Sequence, residues 1–536
     1  LIGLKLVTKD SSIAGYGLQP MLSARVENTT FSGSWLLAAL AAMMISTGGM
    51  AGERLCDHEA VFDAQGRLLP WTSYDRIVRG SMEYVKHCFT VRTTLGDDPW
   101  FLVTSSLTPE ATFKNNQNNQ GSNVYYAAET LARYYAYCGD KDIFKPVRLL
   151  LDRVLMFHTP GDWAWPNVPR TQDDTPDGEY TDETSEPDKM CMVGSGYLRF
   201  YKLTGERKYL DAALEIAKTV AGKIRDGDAD RSPLPFRVNL KTGEVLEPYS
   251  ANMVAPVIFF DALMALGHGV DNALPEKRAV LWRWILEYPM KNYRWTGYYE
   301  DVKNDINANL NQQIPMETAR YLLRVRDDAS DWRTQAPALI EWVRNRFGAT
   351  KRFGATSIRE QDGCFFEMSS HTARYASVVA LWYGFTGKPE DREEARASFA
   401  LATYSAFSKY SEGERAVNYV GLGYVRPWFS DSYVDYLPHL MDGMAEMPDM
   451  APEDENHILG STSTVTQVTY GRDCIEYETF DPRGDEILRI TFKPAVLADD
   501  KPLDPAQWTH GEFRGVSNVL RIHRINTKRV RVESVR

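Results

Sequence analysis

Two kinds of helical segment alternate along this chain, six times over between residues 74 and 444. One kind is amphipathic and charged: Tyr74 to Cys88, Lys141 to Met156, Lys208 to Ile224, Glu276 to Tyr288, Asp331 to Phe347 and Glu390 to Tyr410. In the third of these, Tyr209, Ala212, Ala213, Ile216 and Ala217 recur at spacings of three and four, the pattern of a helix with one wet face. The other kind is poorer in charge and richer in small and aromatic residues: Gly121 to Cys138, Pro187 to Leu203, Ser250 to Leu266, Gln312 to Leu323, Ser369 to Phe385 and Asp431 to Met444. Stretches such as ANMVAPVIFFDALMAL are apolar nearly all round, as a helix covered on most sides must be. The first kind reads as an outer layer and the second as an inner one.

Several inner segments end in glycine and lead straight into an outer one, at Gly139, Gly205 and Gly387. Glycine after a helix takes the left-handed conformation that closes it, so each marks a short inner-to-outer turn. Six such hairpins can close into a ring. From Ser461 the pattern changes to strand-like alternation in STVTQVTYG, CIEYETF, EILRITFKP and SNVLRIHRI, broken by turn signals such as Asp481-Pro482-Arg483-Gly484. The expected fold is mainly α: an (α/α)6 toroid of six helical hairpins over residues 74–450, preceded by a lead-in at 52–73 and followed by a small antiparallel β domain at 451–536.

In helix count, alternation and glycine turns the sequence resembles the six-hairpin glycosidase-like superfamily, whose fold is this toroid. The resemblance implies a funnel-shaped site at one end of the ring, used in that superfamily by glycoside hydrolases, polysaccharide lyases and some epimerases. Fold alone does not choose among them.

A net charge of −11 and the absence of a dense basic run argue against a nucleic-acid surface. Lys528, Arg529 and Arg531 alternate with Val530 and Val532 as the exposed face of a terminal strand would. Trp35 to Ile45 is an apolar run of signal-peptide length, too short to span a bilayer comfortably, so residues 1–51 read as an upstream segment and export signal, with Met21 as a start and Arg25 as its basic flank. A secreted or periplasmic protein without an integral membrane domain is the expectation. The six cysteines are scattered without a CxxC pair, and no P-loop, GxGxxG unit, HExxH or EF-hand spacing is present, so no zinc site and no cofactor is expected, and the acidic loop at 173–188 leaves a calcium ion open. The sequence leaves the oligomeric state open.

If short turns join inner to outer helices at one end, the longer outer-to-inner loops gather at the other, where the inner-helix N-termini converge. These loops combine aromatics with carboxylates and amides, as a cleft that stacks sugar rings and hydrogen-bonds their hydroxyls requires. Trp163, Trp165, Trp295, Tyr298, Tyr299 and Trp428 are the candidate stacking surfaces, with Asn167, Gln312 and Gln313 as hydrogen-bonding partners. Glycoside hydrolysis needs one carboxylic acid to protonate the leaving oxygen and a second carboxylate as base or nucleophile. The candidates are Asp162, Glu186, Asp188, Glu300, Asp301, Asp362 and Glu367. Glu186 and Asp188 flank Pro187 at a helix start, where acidic residues also serve the helix dipole; a pair formed by Asp188 and Glu367 is one concrete expectation. Further along, His371, Arg374 and Tyr375 stand at i, i+3 and i+4 of one inner helix. That face would suit a lyase or epimerase acting on uronic acids, with Arg neutralising the carboxylate and His or Tyr handling the proton alpha to it. The expected function is thus a secreted glycoside hydrolase acting on a poly- or oligosaccharide. A polysaccharide lyase or uronate epimerase, and a non-catalytic glycan-binding protein, stand as alternatives.

Overall fold

The computed structural model describes residues 54–55, 58–87, 91–93, 96–98, 104–107, 113–118, 120–171, 183–269, 273–298, 308–326, 331–363, 367–404, 406–408, 416–418 and 432–535. The signal segment expected at 1–51 lies outside them, as do Tyr299, Glu300, Asp301 and Trp428.

Among the described residues, twelve long helices carry the fold. The outer ones are α1 (Tyr74–His87), α3 (Phe144–Met156), α5 (Arg207–Lys223), α7 (Ala273–Glu287), α9 (Trp332–Phe347) and α11 (Pro389–Thr403). The inner ones are α2 (Gln120–Cys138), α4 (Pro187–Thr204), α6 (Val254–Ala265), α8 (Gln313–Val325), α10 (Ser369–Thr386) and α12 (Ser432–Glu446). Each inner helix packs against the next, α2 on α4 and onward to α12, which returns to α2 and closes the ring. Each outer helix from α3 to α11 leans on the inner helix before it, and α1 covers α12. The (α/α)6 toroid expected from the sequence is the architecture observed.

Local chemistry explains the boundaries. At the start of α4, Glu186 is extended (φ −112°) and Pro187 takes the first helical position, where its missing N–H costs nothing. The helix closes at Gly205, whose φ of 74° lets its N–H reach the Tyr201 carbonyl at 2.7 Å. Gly387 ends α10 in the same way, its N–H 2.8 Å from the Tyr383 carbonyl. Two boundaries differ from expectation. α6 begins at Val254 rather than Ser250, and the Ala251 N–H ahead of it donates to the Thr296 carbonyl of a neighbouring loop. α11 ends at Thr403, and residues 406–408 form a short strand instead of extending the helix to Tyr410.

After residue 456 come nine strands, β1 (His457–Ser461), β2 (Val465–Tyr470), β3 (Cys474–Thr479), β4 (Gly484–Arg489), β5 (Pro494–Ala498), β6 (Lys501–Pro502), β7 (Trp508–Phe513), β8 (Val516–Arg524) and β9 (Arg529–Ser534). They form two antiparallel sheets, ordered β1-β4-β8-β7 and β2-β3-β9-β5-β6. Alternate residues such as Val530 and Val532 on β9 are buried in a core shared by both sheets, leaving Arg529 exposed as the alternation predicts.

This β domain sits on the C-terminal ends of the inner helices. The Val468 N–H donates to the Tyr135 hydroxyl at 3.4 Å, the Tyr470 hydroxyl donates to the Ala136 carbonyl, and Arg199 of α4 donates to Thr464 at 2.8 Å. Arg514 reaches Glu446 at the end of α12 and the Gly384 carbonyl of α10. One end of the ring is therefore covered, and the N-terminal end is left to the loops. Among the described residues no helix is long and apolar enough to cross a membrane.

Candidate functional site

At the N-terminal end the loops knit into a collar. Residues 184–185 before α4 pair with a hairpin of 237–239 and 245–247 before α6. The loop before α8 is tied to the one before α6 through Ala251 and Thr296, and to the one before α10 through a bridge between Asn311 and Gln361. Gly297 makes this possible: its φ is 71°, and a Cβ there would run into the Tyr249 carbonyl. Gly297→Ala is expected to destabilise the protein by about 2–4 kcal/mol, from positive-φ strain plus overpacking; thermal unfolding of the variant measures it.

Inside the collar, polar side chains converge from four inner helices and the segment before α6. Asp188, in the first turn of α4, is fully buried, and its Oδ2 accepts from Asn252 Nδ2 at 2.8 Å. From α8, Gln313 Nε2 donates to the Tyr126 hydroxyl of α2 at 2.8 Å and also meets the Tyr298 hydroxyl. Arg374 of α10 donates to Tyr126 (3.0 Å), to His371 Nδ1 (2.9 Å) and to Glu317 of α8 (3.2 Å). Tyr126, Asn252, Gln313 and Glu317 of this group, with Tyr125, also line an axial cavity of about 400 Å³ including the open space around it.

Deeper along the axis the charges pair off. Arg320 links Glu317 (3.1 Å), His439 Nδ1 (3.1 Å) and Asp442 (3.0 Å), while Arg133 joins Asp442 (2.7 Å) to Glu129, which Arg199 also holds at 2.7 Å. Burial alone would raise the Glu317 carboxyl; the Arg320 and Arg374 guanidiniums overcome it and hold the group below the usual carboxylate range. By the same balance, burial set against Arg199 and Arg133, Glu129 falls to about 2. A second cavity, about 880 Å³ including its open mouth, follows toward the C-terminal ends, sharing Tyr125, Ser195, Ile258 and Glu317 with the first.

The structure brings some expected site residues to this axis and takes others away. Asp188, Gln313, His371 and Arg374 meet there, and Tyr298 joins through Gln313. Gln312 is buried beside them at the start of α8. Glu186 is buried but engaged with Thr171 (2.9 Å) and Lys189 (3.4 Å). Glu367 does not meet Asp188: it turns to Arg352 (2.7 Å) and Ser357 (2.8 Å), in a hairpin that packs on α11. Asp362 is held by Arg346 and Arg359 at 2.6 and 3.0 Å. Tyr375 faces the outer layer, bonded to Arg344 of α9 and Glu394 of α11 at 2.9 and 2.7 Å.

Segment 159–168 lies along α5, where Thr219 donates to the Pro166 carbonyl, so Asn167 reaches Glu215 on that helix and Trp165 sits under Lys223. Trp163 is half-buried between Arg170 and Lys241, Asp162 is exposed, and Trp295 is wholly in the core.

Tyr126, Asn252, Glu317, Arg320 and His439 were not singled out from the sequence. A signal existed: Gln313, Glu317, Arg320 and Arg324 form a polar stripe at i, i+4, i+7 and i+11 on a helix otherwise fitted for the interior.

No protein-family sequence model matches the chain, and no curated protein matches it in sequence. Solved structures do match in fold. A D-mannose isomerase, 12% identical, is similar over 71% of this chain and 98% of its own, with a TM-score of 0.51. A cellobiose 2-epimerase from Spirochaeta thermophila (11% identity, 70% and 98% coverage, TM-score 0.47) and an unsaturated glucuronyl hydrolase specific for heparin (11%, 70% and 97%, 0.45) also match, with lower scores. The chain has the six-hairpin glycosidase fold, an (α/α)6 toroid, in common with the D-mannose isomerase.

Proposed function

We propose that the chain is a saccharide-hydrolysing enzyme that receives its substrate at the collared mouth of the inner helices, with Asp188 as the carboxyl group that protonates the departing oxygen. The observation that carries this reading is the placement of Asp188: withdrawn from water, yet bonded to Asn252, a wall residue of the axial cavity. A buried carboxyl group bonded to a cavity-wall residue is placed to exchange a proton with a bound substrate. Glu317 stands on α8, separated from α4 by the intervening α6. Its two guanidiniums favour the ionised form, so its role is that of the charged carboxylate, the base that takes the proton of an attacking water. Tyr125 and Tyr126, which line the cavity, would present their rings to a sugar. Residues up to Ala51 would serve as an export signal, placing the enzyme where polymeric glycans are met.

A second reading, a sugar epimerase or isomerase, is favoured by His371 and His439. Each accepts a guanidinium N–H at Nδ1. A guanidinium has only donors, so the neutral rings carry their proton on Nε2, as electrophilic imidazoles that polarise a carbonyl do. The uronate-lyase form has less support, because Arg374 is already committed to Glu317 and Tyr375 faces outward.

The test is incubation with neutral and uronic-acid glycans, following reducing ends, ultraviolet absorbance and sugar interconversion. New reducing ends without absorbance are expected. Interconversion without cleavage would replace the first reading by the second, absorbance would establish a lyase, and saturable binding with no product would establish a glycan-binding protein.

A further inference from the structure

Away from the axis, one side chain of the first helix meets two near-neighbours from much later in the chain where the β domain joins the ring. Asp75 comes from the first turn of α1, Glu455 from the segment before β1, and His457 from β1 itself. One oxygen from each carboxylate and one ring nitrogen lie within 4.8 Å of one another. His457 is 2% exposed, and its ring stacks on Tyr137 with centroids 4.0 Å apart.

The orientation of that ring is informative. Nδ1 lies 2.9 Å from the Tyr137 carbonyl, which can only accept, so Nδ1 carries the proton. In the neutral ring Nε2 then presents a lone pair. This atom is buried, makes no hydrogen bond, and lies 3.4 Å from Glu455 Oε2. Two acceptors facing each other at that distance are poorly matched unless a cation stands with them.

We propose that Asp75, Glu455 and His457 form a binding site for a divalent transition-metal ion, zinc by ligand type. One imidazole nitrogen and two carboxylate oxygens make a three-ligand set that water can complete to a tetrahedron. The supporting bonds that such a site needs are already present in one residue: the Tyr137 carbonyl fixes His457, and the Tyr137 hydroxyl donates to Asp75 Oδ1 at 2.8 Å. Arg79 is the competing cation. Its guanidinium bridges Asp75 and Glu455 at 2.7 Å each, and its side chain, 38% exposed, has room to swing into solvent when a metal takes over that charge. A bound ion would tie β1 and the segment before it directly to α1.

The experiment uses the full chain after chelation and dialysis, titrated with Co²⁺ while visible absorption is followed, with Tm then measured with and without Zn²⁺. One equivalent of Co²⁺ is expected to produce a saturable band, and excess Zn²⁺ to raise Tm by roughly 5 °C. E455Q, a change at an exposed side chain, and H457Q should both abolish the band. R79M should tighten Co²⁺ binding about tenfold by removing the competing charge. Absence of a one-equivalent band in the wild-type chain would overturn the assignment. So would a band that persists in both E455Q and H457Q, or an R79M variant that binds no more tightly. Tm of each variant in chelator separates lost binding from lost folding.

Discussion

Asp188→Asn is expected to lower turnover on the cleaved glycan by about 10³-fold while leaving Tm within about 2 °C of the parent. The amide has the shape of the carboxyl it replaces, and its carbonyl oxygen can still accept from Asn252, so α4 keeps its place against α6. What the amide lacks is an acidic proton. General acid catalysis fails while binding persists, so kcat falls and KM moves little. The measurement is kcat, KM and Tm on one preparation. Full turnover would remove Asp188 from the chemistry; a large fall in Tm would make its role structural.

Asp442→Asn is expected to destabilise the ring by about 3–5 kcal/mol, the usual result of removing one side of a buried charge network. Asp442 takes Arg133 on one oxygen, and Arg320 and Arg324 on the other, at 2.7, 3.0 and 3.0 Å. Without its charge three guanidiniums are left crowded together. Burial alone would raise this carboxyl; Arg133, Arg324 and Arg320 outweigh it and hold the group far below the usual range. A carboxyl depressed by folding contributes stability that is fully present above its unfolded value and lost as pH falls toward its folded one. Glu129, at about 2 in the fold against 4.5 unperturbed, follows the same rule. The wild-type chain should therefore lose Tm as pH drops below about 4.5. The variant, lacking one contributor, should show a shallower decline from a lower starting point; Tm recorded from neutral to acid pH compares the two slopes.

The ring was legible because its signals are local. Gly205 and Gly387 announce helix ends through a conformation that other residues resist, and inner helices announce themselves by apolar residues on every face. The axial site was only partly legible, because position around a fully buried helix is not marked by hydrophobicity. Successive residues of an α-helix are about 100° apart. Arg374 therefore faces the axis while Tyr375, one step on, faces α9 and α11, although both lie near His371 in spacing. Glu367 precedes the first turn of α10, where the chain direction and not the helix period sets its aim, and Arg352 and Ser357 claim it. Asp188 could be read because Pro187 fixes its place in the first turn of α4. Asn252 could not, since it precedes a helix that begins only at Val254.

Closing the ring by packing α12 against α1 and α2 has a consequence for synthesis. Until α12 is made, the flanks of α1 and α2 that it will cover have no native partner, although the hairpins between them have long been complete. Contacts this distant in sequence are slow to form, since the intervening chain must be gathered first. α12, made after the other inner helices, thus seals the first hairpin of the ring, and the nascent chain carries an unsealed apolar flank until it emerges.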